Sequence, residues 1–197
     1  IEQKYGFTMS ELEYGPGIAV PYFKDQEDTL EADIKVIKTA ISGMKWKGKV
    51  MLEMGRAFVA SCGYYLTSVK DIKQNNGRNY CIVDGGIHQI QYDGQIRGMY
   101  TPEVQIIGEQ EETKEWTVCG SLCTTNNILI QNMEAGDLKT GDVLAFKKAG
   151  AYAAMEGMAL FLSHELPAVT FFSKADGWEL IREKQETYQW NMEDERL

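Results

Sequence analysis

The strongest constraint on the fold is a change in the texture of the sequence near Ala57. From there to Ser173, segments rich in β-branched and aromatic residues alternate with glycine, asparagine and aspartate. These segments read AFVASCGYYLTSVKDI, RNYCIVDGG, EVQIIGE, KEWTVCGSL, GDVLAFKKAGAYA and PAVTFFS. Short strands separated by turn residues are typical of an antiparallel sandwich or barrel. The sequence therefore predicts a mainly β fold with a β-domain over residues 58–197, and its charged end from Glu183 predicts an exposed helix or a frayed terminus.

The first 57 residues follow another pattern, which predicts a strand, a helix and a second strand. A short strand at SELEY precedes the turn Gly15-Pro16-Gly17, and a second strand is expected at Lys49–Leu52. Between them, apolar residues recur every three or four positions, which predicts a helix from about Asp28 to Ser42. This apolar stripe consists of Leu30, Ile34, Ile37, Ile41 and Met44. A strand-helix-strand unit of this kind belongs to a parallel sheet, so residues 1–57 are expected to form a separate part of the chain.

The overall composition excludes several classes of partner. The chain of 197 residues has 29 acidic and 20 basic side chains, for a net charge of -9. An acidic chain without a basic stripe argues against binding to nucleic acid or to an anionic membrane. No apolar run approaches the ~20 residues that span a bilayer, and no signal peptide is visible. The four cysteines lack a disulfide-like spacing, which predicts a reducing, cytoplasmic setting.

The stretch CGSLCTTNN, which begins at Cys119, raises the question of a reactive site. A structural zinc site usually has C-x2-C pairs and histidines, whereas this spacing is C-x3-C and the chain has two histidines, so no metal is predicted. A thioredoxin-like pair requires C-x-x-C at the start of a helix, which is absent here. A tightly packed turn and a functional cysteine both remain compatible with the residues alone.

Three other stretches carry residues that suit a binding site, although each has a structural alternative. Gly15 and Gly17 follow a strand, where backbone N–H groups can approach a phosphate, but such glycines also simply make turns. Glu53 and Arg56 lie at the end of the next strand, where polar residues face the active site of an α/β barrel or form a surface ion pair. Tyr152, in KKAGAYAAM, is a candidate site residue or a core tyrosine.

Taken in order, these stretches resemble one family. The chain reads Gly15-Pro16-Gly17, then EMGR at 53–56, VDGG at 83–86, CGSLC at 119–123 and GAY at 150–152. The order and spacing are similar to those of the alanine-racemase-like pyridoxal phosphate (PLP) decarboxylases that act on diaminopimelate, ornithine and arginine, and look most like the diaminopimelate branch. The resemblance extends from Leu12 to about Phe172 and implies a PLP-binding (β/α)8 barrel, of which residues 1–57 would be the last part, followed by the β-domain.

The resemblance also implies roles for individual residues. The implied cofactor-binding positions are Gly15, Gly17, Glu53, Gly55, Arg56 and Tyr152. In the family the glycine loop, Arg56 and Tyr152 would bind the cofactor phosphate. Glu53 would hold the pyridine nitrogen protonated, which keeps the ring able to accept electrons.

Cys123 is the implied catalytic residue. In the family the second cysteine of this motif projects into the active site of the neighbouring subunit and assists protonation. The resemblance therefore implies a homodimer with its active site at the subunit interface and a small amino acid as substrate.

Several residues depart from the family pattern. Pro16 replaces a glycine and removes one N–H from the phosphate loop, and Met54 replaces a proline. Thr124 stands where an acid usually meets the distal amine of the substrate, and Asn127 also replaces an aspartate. Arg97 and Tyr100 lie where the family often places substrate contacts, although Arg97 is equally explained as a solvated loop residue.

The sequence is therefore interpreted as the C-terminal part of a diaminopimelate decarboxylase-like enzyme, which converts meso-diaminopimelate to lysine and CO2. The family's PLP lysine lies upstream of the glycine loop and is not found here, so the chain, which begins at Ile1, is expected to be a fragment and inactive alone. Two alternatives remain. One is a decarboxylase of a different amino acid or a carboxylated polyamine precursor, and the other is a non-catalytic dimerisation or binding β-domain.

Overall fold

A computed structural model describes residues 2–108 and 113–193 of the chain. Its helices are α1 (Glu2–Tyr5), α2 (Leu30–Ser42) and α3 (Gly55–Val59). Its strands are β1 (Glu11–Tyr14), β2 (Lys49–Leu52), β3 (Tyr65–Asn75), β4 (Arg78–Val83), β5 (Val104–Ile107), β6 (Lys114–Cys119), β7 (Ile128–Ala135), β8 (Val143–Phe146), β9 (Val169–Ser173) and β10 (Gly177–Arg182). Strands outnumber helices in these ranges, which confirms the predicted mainly β fold.

Six strands form the central sheet in the order β5-β8-β3-β4-β6-β7. Every neighbouring pair is antiparallel except β4 and β6, which run parallel with Asn79 opposite Trp116. Several side chains of this sheet are completely buried in the hydrophobic core. These are Val69, Val83, Val118, Ile130 and Leu144. Along β3, buried Tyr65, Thr67 and Val69 alternate with more exposed neighbours, as the two-residue period of a strand requires.

The N-terminal residues form the predicted strand-helix-strand unit. β1 and β2 pair in parallel, with Glu11 opposite Lys49, and α2 connects them. The structure describes the whole of α2, and none of its residues is buried; Ile34 is 48% exposed. The pair has no further strand on either edge among the described residues. This unit therefore leaves much of its apolar stripe and both strand edges uncovered.

The segment AFVAS, predicted as the start of a strand, is helical instead. Residues Gly55–Val59 form α3, and Ala60–Cys62 form a 3-10 turn before β3 begins. Ala60 is 1% exposed, and its carbonyl oxygen accepts a hydrogen bond from the Gly150 N–H at 3.0 Å. A tertiary contact thus overrides the β propensity of Phe58 and Val59.

The C-terminal part adds a separate hairpin of β9 and β10. The charged end from Glu183, predicted as an exposed helix or a frayed terminus, contains a 3-10 helix at Tyr188–Asn191. Residues 194–197 lie outside the described ranges. Within the described residues, no helix has the length and apolar character needed to cross a membrane.

Candidate functional site

A cavity of about 550 Å³ opens where the loop after β1, the start of α3 and the turn after β8 meet. Five predicted site residues line it, from three stretches of the sequence. They are Gly17, Glu53, Gly55, Arg56 and Tyr152. The structure thus brings together residues that are separated by up to 135 positions (152 − 17) in the chain.

Arg56 occupies the centre of the polar contacts in this cavity. Its Nη1 donates a hydrogen bond to the Tyr22 hydroxyl at 3.0 Å, and its Nη2 lies 3.4 Å from Glu156 Oε1 and 3.7 Å from Asp93 Oδ2. The guanidinium carbon lies 4.8 Å from the centre of the Tyr152 ring, which is a cation–π distance. Burial lowers the pKa of Arg56, but its interactions with Tyr22, Glu156 and Asp93 outweigh this effect and raise the pKa above its ordinary value. The guanidinium is therefore charged and held in a defined orientation.

The two glycines of the loop after β1 play different structural roles. Gly17 has φ +72°, a left-handed conformation that favours glycine, and open space surrounds the position a Cβ would take. Gly15 does not line the cavity, and a Cβ there would lie 3.6 Å from the Glu53 carbonyl oxygen, an ordinary contact. The N–H of Glu53 in turn donates to the Tyr14 carbonyl at 3.1 Å. This pairing of strand ends positions Glu53 at the cavity edge.

Tyr152 reaches the cavity because two glycines let their backbones touch. Gly150 packs directly on Gly63, and a Cβ on Gly150 would overlap the Val59 carbonyl oxygen. The N–H of Ala149 donates to the Gly63 carbonyl at 2.9 Å, which closes this contact. The turn that starts at Tyr152 is thereby fixed against α3, which carries Arg56.

The stretch CGSLC forms a turn that is locked to the VDGG segment. The Ser121 N–H donates to the Gly85 carbonyl at 2.7 Å. Asn127 is buried: its Oδ1 accepts from the Ile87 N–H at 3.1 Å and its Nδ2 donates to the Leu122 carbonyl at 3.3 Å. A Cβ on Gly120 would overlap the Asn127 side chain. The stretch is therefore a tightly packed turn.

The two cysteines of this turn differ in their surroundings. Burial raises the pKa of Cys119, which keeps it in the less reactive thiol form. Cys123 is exposed at the tip of the turn. The second cysteine is therefore the more accessible of the two to solvent or to another molecule.

The other predicted site residues lie outside the Arg56 cavity. Thr124 is half-buried beside Cys123, and its Oγ1 accepts from the Asn126 N–H at 3.3 Å. Arg97 is exposed, and its carbonyl accepts from Nε2 of Gln131 on β7 at 2.8 Å. Tyr100 is 50% exposed and packs its ring 5.1 Å from that of Phe23. Within one described chain, the Arg56 cavity thus contains none of the other predicted site residues Cys123, Thr124, Arg97 and Tyr100.

The sequence analysis missed the three residues that hold Arg56: Tyr22, Asp93 and Glu156. Tyr22 is 4% exposed and packs against Tyr92 with ring centres 5.1 Å apart, so in the sequence it resembles any core aromatic residue. Asp93 and Glu156 lie in turns whose charged residues carry no sequence signal of a site. Only their approach to Arg56 in three dimensions identifies them.

The cavity offers the donors and acceptor that a phosphorylated pyridine requires. Arg56 and the Tyr152 hydroxyl can donate to phosphate oxygens, and the open backbone at Gly17 allows close approach. Glu53, which also lines the cavity, has a carboxylate that can accept from a protonated ring nitrogen. Among the described residues, no group of three or more His, Cys, Asp or Glu side chains is arranged to hold a metal ion.

The described residues form a six-stranded sheet with a polar cavity beside the N-terminal strand-helix-strand unit. The chain belongs to the family described as "Pyridoxal-dependent decarboxylase, C-terminal sheet domain", whose sequence model matches residues 10–150. The family confirms PLP as the cofactor of these enzymes.

Individual relatives refine this placement. The chain is 30% identical over 187 residues to 2-[(L-alanin-3-ylcarbamoyl)methyl]-2-hydroxybutanedioate decarboxylase of Staphylococcus aureus, covering 87% of this chain and 46% of the relative. It is also 30% identical over 195 residues to the diaminopimelate decarboxylase of Methanocaldococcus jannaschii, covering 93% of this chain and 42% of that enzyme. The chain therefore spans less than half the length of these relatives.

A solved structure agrees with the fold. The diaminopimelate decarboxylase of Helicobacter pylori complexed with L-lysine superposes with a TM-score of 0.80 at 24% identity, covering all of this chain and 48% of that one. The fold is thus that of a diaminopimelate decarboxylase-like C-terminal region.

Proposed function

We propose that this chain provides the C-terminal part of a PLP-dependent amino-acid decarboxylase, in which the Arg56 cavity binds the cofactor phosphate. The observation that carries the proposal is the convergence of Arg56, Tyr152, Gly17 and Glu53 on one cavity. Bound PLP supplies a ring that accepts electrons when an α-carboxylate leaves as CO2. In this proposal Arg56, Gly55 and Tyr152 hold the phosphate.

The other proposed roles in the Arg56 cavity belong to the loop after β1 and to the residue that contacts the PLP ring. Gly15 and Gly17 shape the loop that approaches the phosphate, although Pro16 between them cannot donate a hydrogen bond. Glu53 orients the ring by accepting from its nitrogen and keeps that nitrogen protonated.

We further propose that residues 1–57 are the last part of a (β/α)8 barrel and that residues 58–197 are the C-terminal β-domain. The parallel β1–β2 pair supports this division, because a parallel pair is normally covered on both faces. The uncovered stripe of α2 also supports it, since further strands and helices would bury Ile34 and its neighbours.

The proposed enzyme is a homodimer in the cytoplasm. Exposed Cys123, outside the Arg56 cavity of its own chain, would complete the active site of the neighbouring subunit and hold or deliver a proton there. Arg97, Tyr100 and Thr124 would contact the substrate. The four free cysteines support a reducing compartment.

The substrate is proposed to be a small amino acid, with meso-diaminopimelate as the first candidate because of the relatives that carry that name. The S. aureus relative, named for another substrate, supports a second candidate of different chemistry. Thr124 favours this second candidate because it offers no charge to a distal ammonium. Thr124→Glu, introduced into the protein that carries this domain, would discriminate the two by its effect on diaminopimelate turnover.

Binding of pyridoxine 5′-phosphate tests the cofactor site directly, because this compound has the ring and phosphate of PLP but no aldehyde to react with surface lysines. We expect Arg56→Met to weaken its binding at least about ten-fold, as loss of a charge-assisted phosphate contact implies. Arg78→Met, at the exposed start of β4, is the matched control and should bind as the parent chain does. Equal binding by the Arg56 and Arg78 variants, or equal affinity for unphosphorylated pyridoxine, would contradict the proposal.

Residues 1–197 alone are proposed to release no CO2. Among the described residues that line the Arg56 cavity there is no lysine to hold PLP covalently. Incubation with PLP and carboxyl-labelled diaminopimelate should therefore yield no labelled gas, and measurable release would refute this part of the proposal.

A further inference from the structure

The Nη2 atom of Arg56 lies near two carboxylates. Glu156 Oε1 lies 3.4 Å away and Asp93 Oδ2 lies 3.7 Å away, whereas Nη1 is used by Tyr22. Both distances are longer than a strong charge-assisted hydrogen bond of about 2.7–2.9 Å. Both contacts of Nη2 are thus long ones, which a phosphate oxygen can replace.

Glu156 is tied to the residue that flanks the other side of Arg56. Its N–H donates to the Tyr152 carbonyl at 3.0 Å, so its carboxylate and the Tyr152 ring belong to one turn. Asp93 comes from a separate loop after buried Tyr92. Two independent segments therefore bring negative charge to Nη2 of Arg56: Asp93 lines the cavity together with Glu53, whereas Glu156 reaches Nη2 without lining the cavity.

We infer that Glu156 and Asp93 set the affinity of this cavity for a phosphate monoester by competing for Nη2 of Arg56. The inference rests on the proposed function, because it concerns the same phosphate site. A dianionic phosphate that binds Arg56 must displace both carboxylates or accept their repulsion. The two acids lower the affinity for free phosphate, and a ligand needs its ring contacts with the cavity to bind well.

Charge-neutral variants test this competition. In the 197-residue chain, Glu156→Gln and Asp93→Asn should each tighten binding of pyridoxine 5′-phosphate about five-fold, the effect expected for one charge at close range in a solvated site. Inorganic phosphate, titrated in parallel, should gain by a similar factor while remaining the weaker ligand. Glu165→Gln is the matched control. The Glu165 carboxylate lies 3.5 Å from Lys184 Nζ, and both residues line a different cavity.

The dependence on salt separates competition from a merely structural role. The gain should shrink when ionic strength rises from about 0.02 M to 0.5 M, because screening weakens the repulsion. Thermal unfolding of each variant checks that the fold is intact, and Asp93→Asn provides the same test if Glu156→Gln does not fold.

The outcomes distinguish the inference from the function on which it rests. If the parent chain binds the phosphorylated ligand but the variants bind equally or more weakly, the inference is overturned and the phosphate site stands. If neither the parent chain nor the variants bind it, the proposed site fails and the inference fails with it. Tighter binding by the variants that also occurs in Glu165→Gln would equally overturn the inference.

Discussion

Gly150 shows how a single residue determines the geometry of the site. Its missing side chain allows the backbone of the GAY motif to touch Gly63 and Ala60. Through that contact the Tyr152 ring comes to lie over Arg56. The family motif is thus explained by close packing of the backbone as much as by the chemistry of the tyrosine.

Gly150→Ala should destabilise the chain by about 3 kcal/mol, because the added methyl group would overlap backbone atoms that cannot move easily. Urea denaturation at neutral pH measures the change in the free energy of unfolding. Gly43→Ala is the matched control: Gly43 has φ -79°, and its nearest contact would be 3.4 Å. A loss no greater than that of the control would show that the contact of Gly150 with Gly63 is not tight.

His88 is a second residue with a measurable consequence. It is 1% exposed, and neither ring nitrogen has a hydrogen-bond partner among the described residues. Its ring lies 5.0 Å from that of His164 in the wall of a cavity of about 400 Å³ that is also lined by Asp84, Glu165 and Lys184. Burial, followed by the charge of His164, lowers the pKa of His88 from 6.5 to about 4.

This shift predicts a loss of stability on mild acidification. The unfolded chain binds a proton near pH 6.5, whereas folded His88 does so only near pH 4. Stability is therefore complete above pH 6.5 and falls as the pH decreases toward 4, by about 2 kcal/mol between pH 7 and pH 5. Urea titrations of the parent chain and of His88→Leu should show that the variant lacks this decrease, whereas His164→Leu should retain most of it. Parallel pH profiles for all three proteins would contradict the assignment.

At the level of residues, the sequence pointed to residues that line the cavity only where a motif contains them. Arg56, Glu53 and Tyr152 were found because their neighbours form short recognisable stretches. Tyr22 and Glu156 were missed because an aromatic residue in a loop and a glutamate in a turn have many ordinary explanations. Their role depends on contacts between segments more than 30 positions apart, which no local pattern contains.

At the level of elements, the prediction followed periodicity closely and failed where tertiary packing overrides it. The stripe of α2 and the apolar runs of β4 and β8 identified these elements. β7 was missed because polar Gln131, Asn132 and Glu134 interrupt its apolar residues, although its buried positions show that it belongs to the sheet. α3 was mistaken for a strand because its fold depends on the contact with Gly150.

The N-terminal unit should be less protected than the central sheet. β1 and β2 each have one partner strand, and α2 has no buried residue, so little packing opposes local opening. In hydrogen exchange followed by mass spectrometry, amides of β1 and β2 should exchange at least about 100-fold faster than those of β4 and β6. Comparable protection in the two regions would show that the unit is stable without further strands.

At the level of the whole molecule, the apolar side chains fall into two sets, one buried in the core and one exposed to solvent. The central sheet buries its core completely, whereas the β9–β10 hairpin exposes apolar side chains on both faces. Trp178 is 74% exposed, and its ring packs 4.9 Å from that of Phe172. A surface of this kind normally marks a region that another part of a protein covers.

The chain should therefore associate with itself through the hairpin when it is studied alone. Sedimentation velocity should show a sedimentation coefficient that rises with protein concentration. Exchange of both Phe171 and Trp178 for serine should weaken association at least about ten-fold, because buried aromatic residues dominate most interfaces. Ile96→Ser is the control, because the Ile96 side chain is similarly exposed but lies in the loop between β4 and β5, outside the hairpin. A concentration-independent monomer would contradict this expectation.

The parallel pairing of β4 and β6 has a kinetic consequence. A parallel connection cannot be made by a hairpin, so the chain must cross over between these strands, and β5 within that crossover pairs instead with β8. Phe146 of β8 lies opposite both Tyr65 and Val104, two residues far from it in the sequence. Such a sheet has a high contact order, because its central pairings form only after long loops have closed. The central sheet is therefore expected to fold on the millisecond-to-second timescale of sheet proteins with non-local topology.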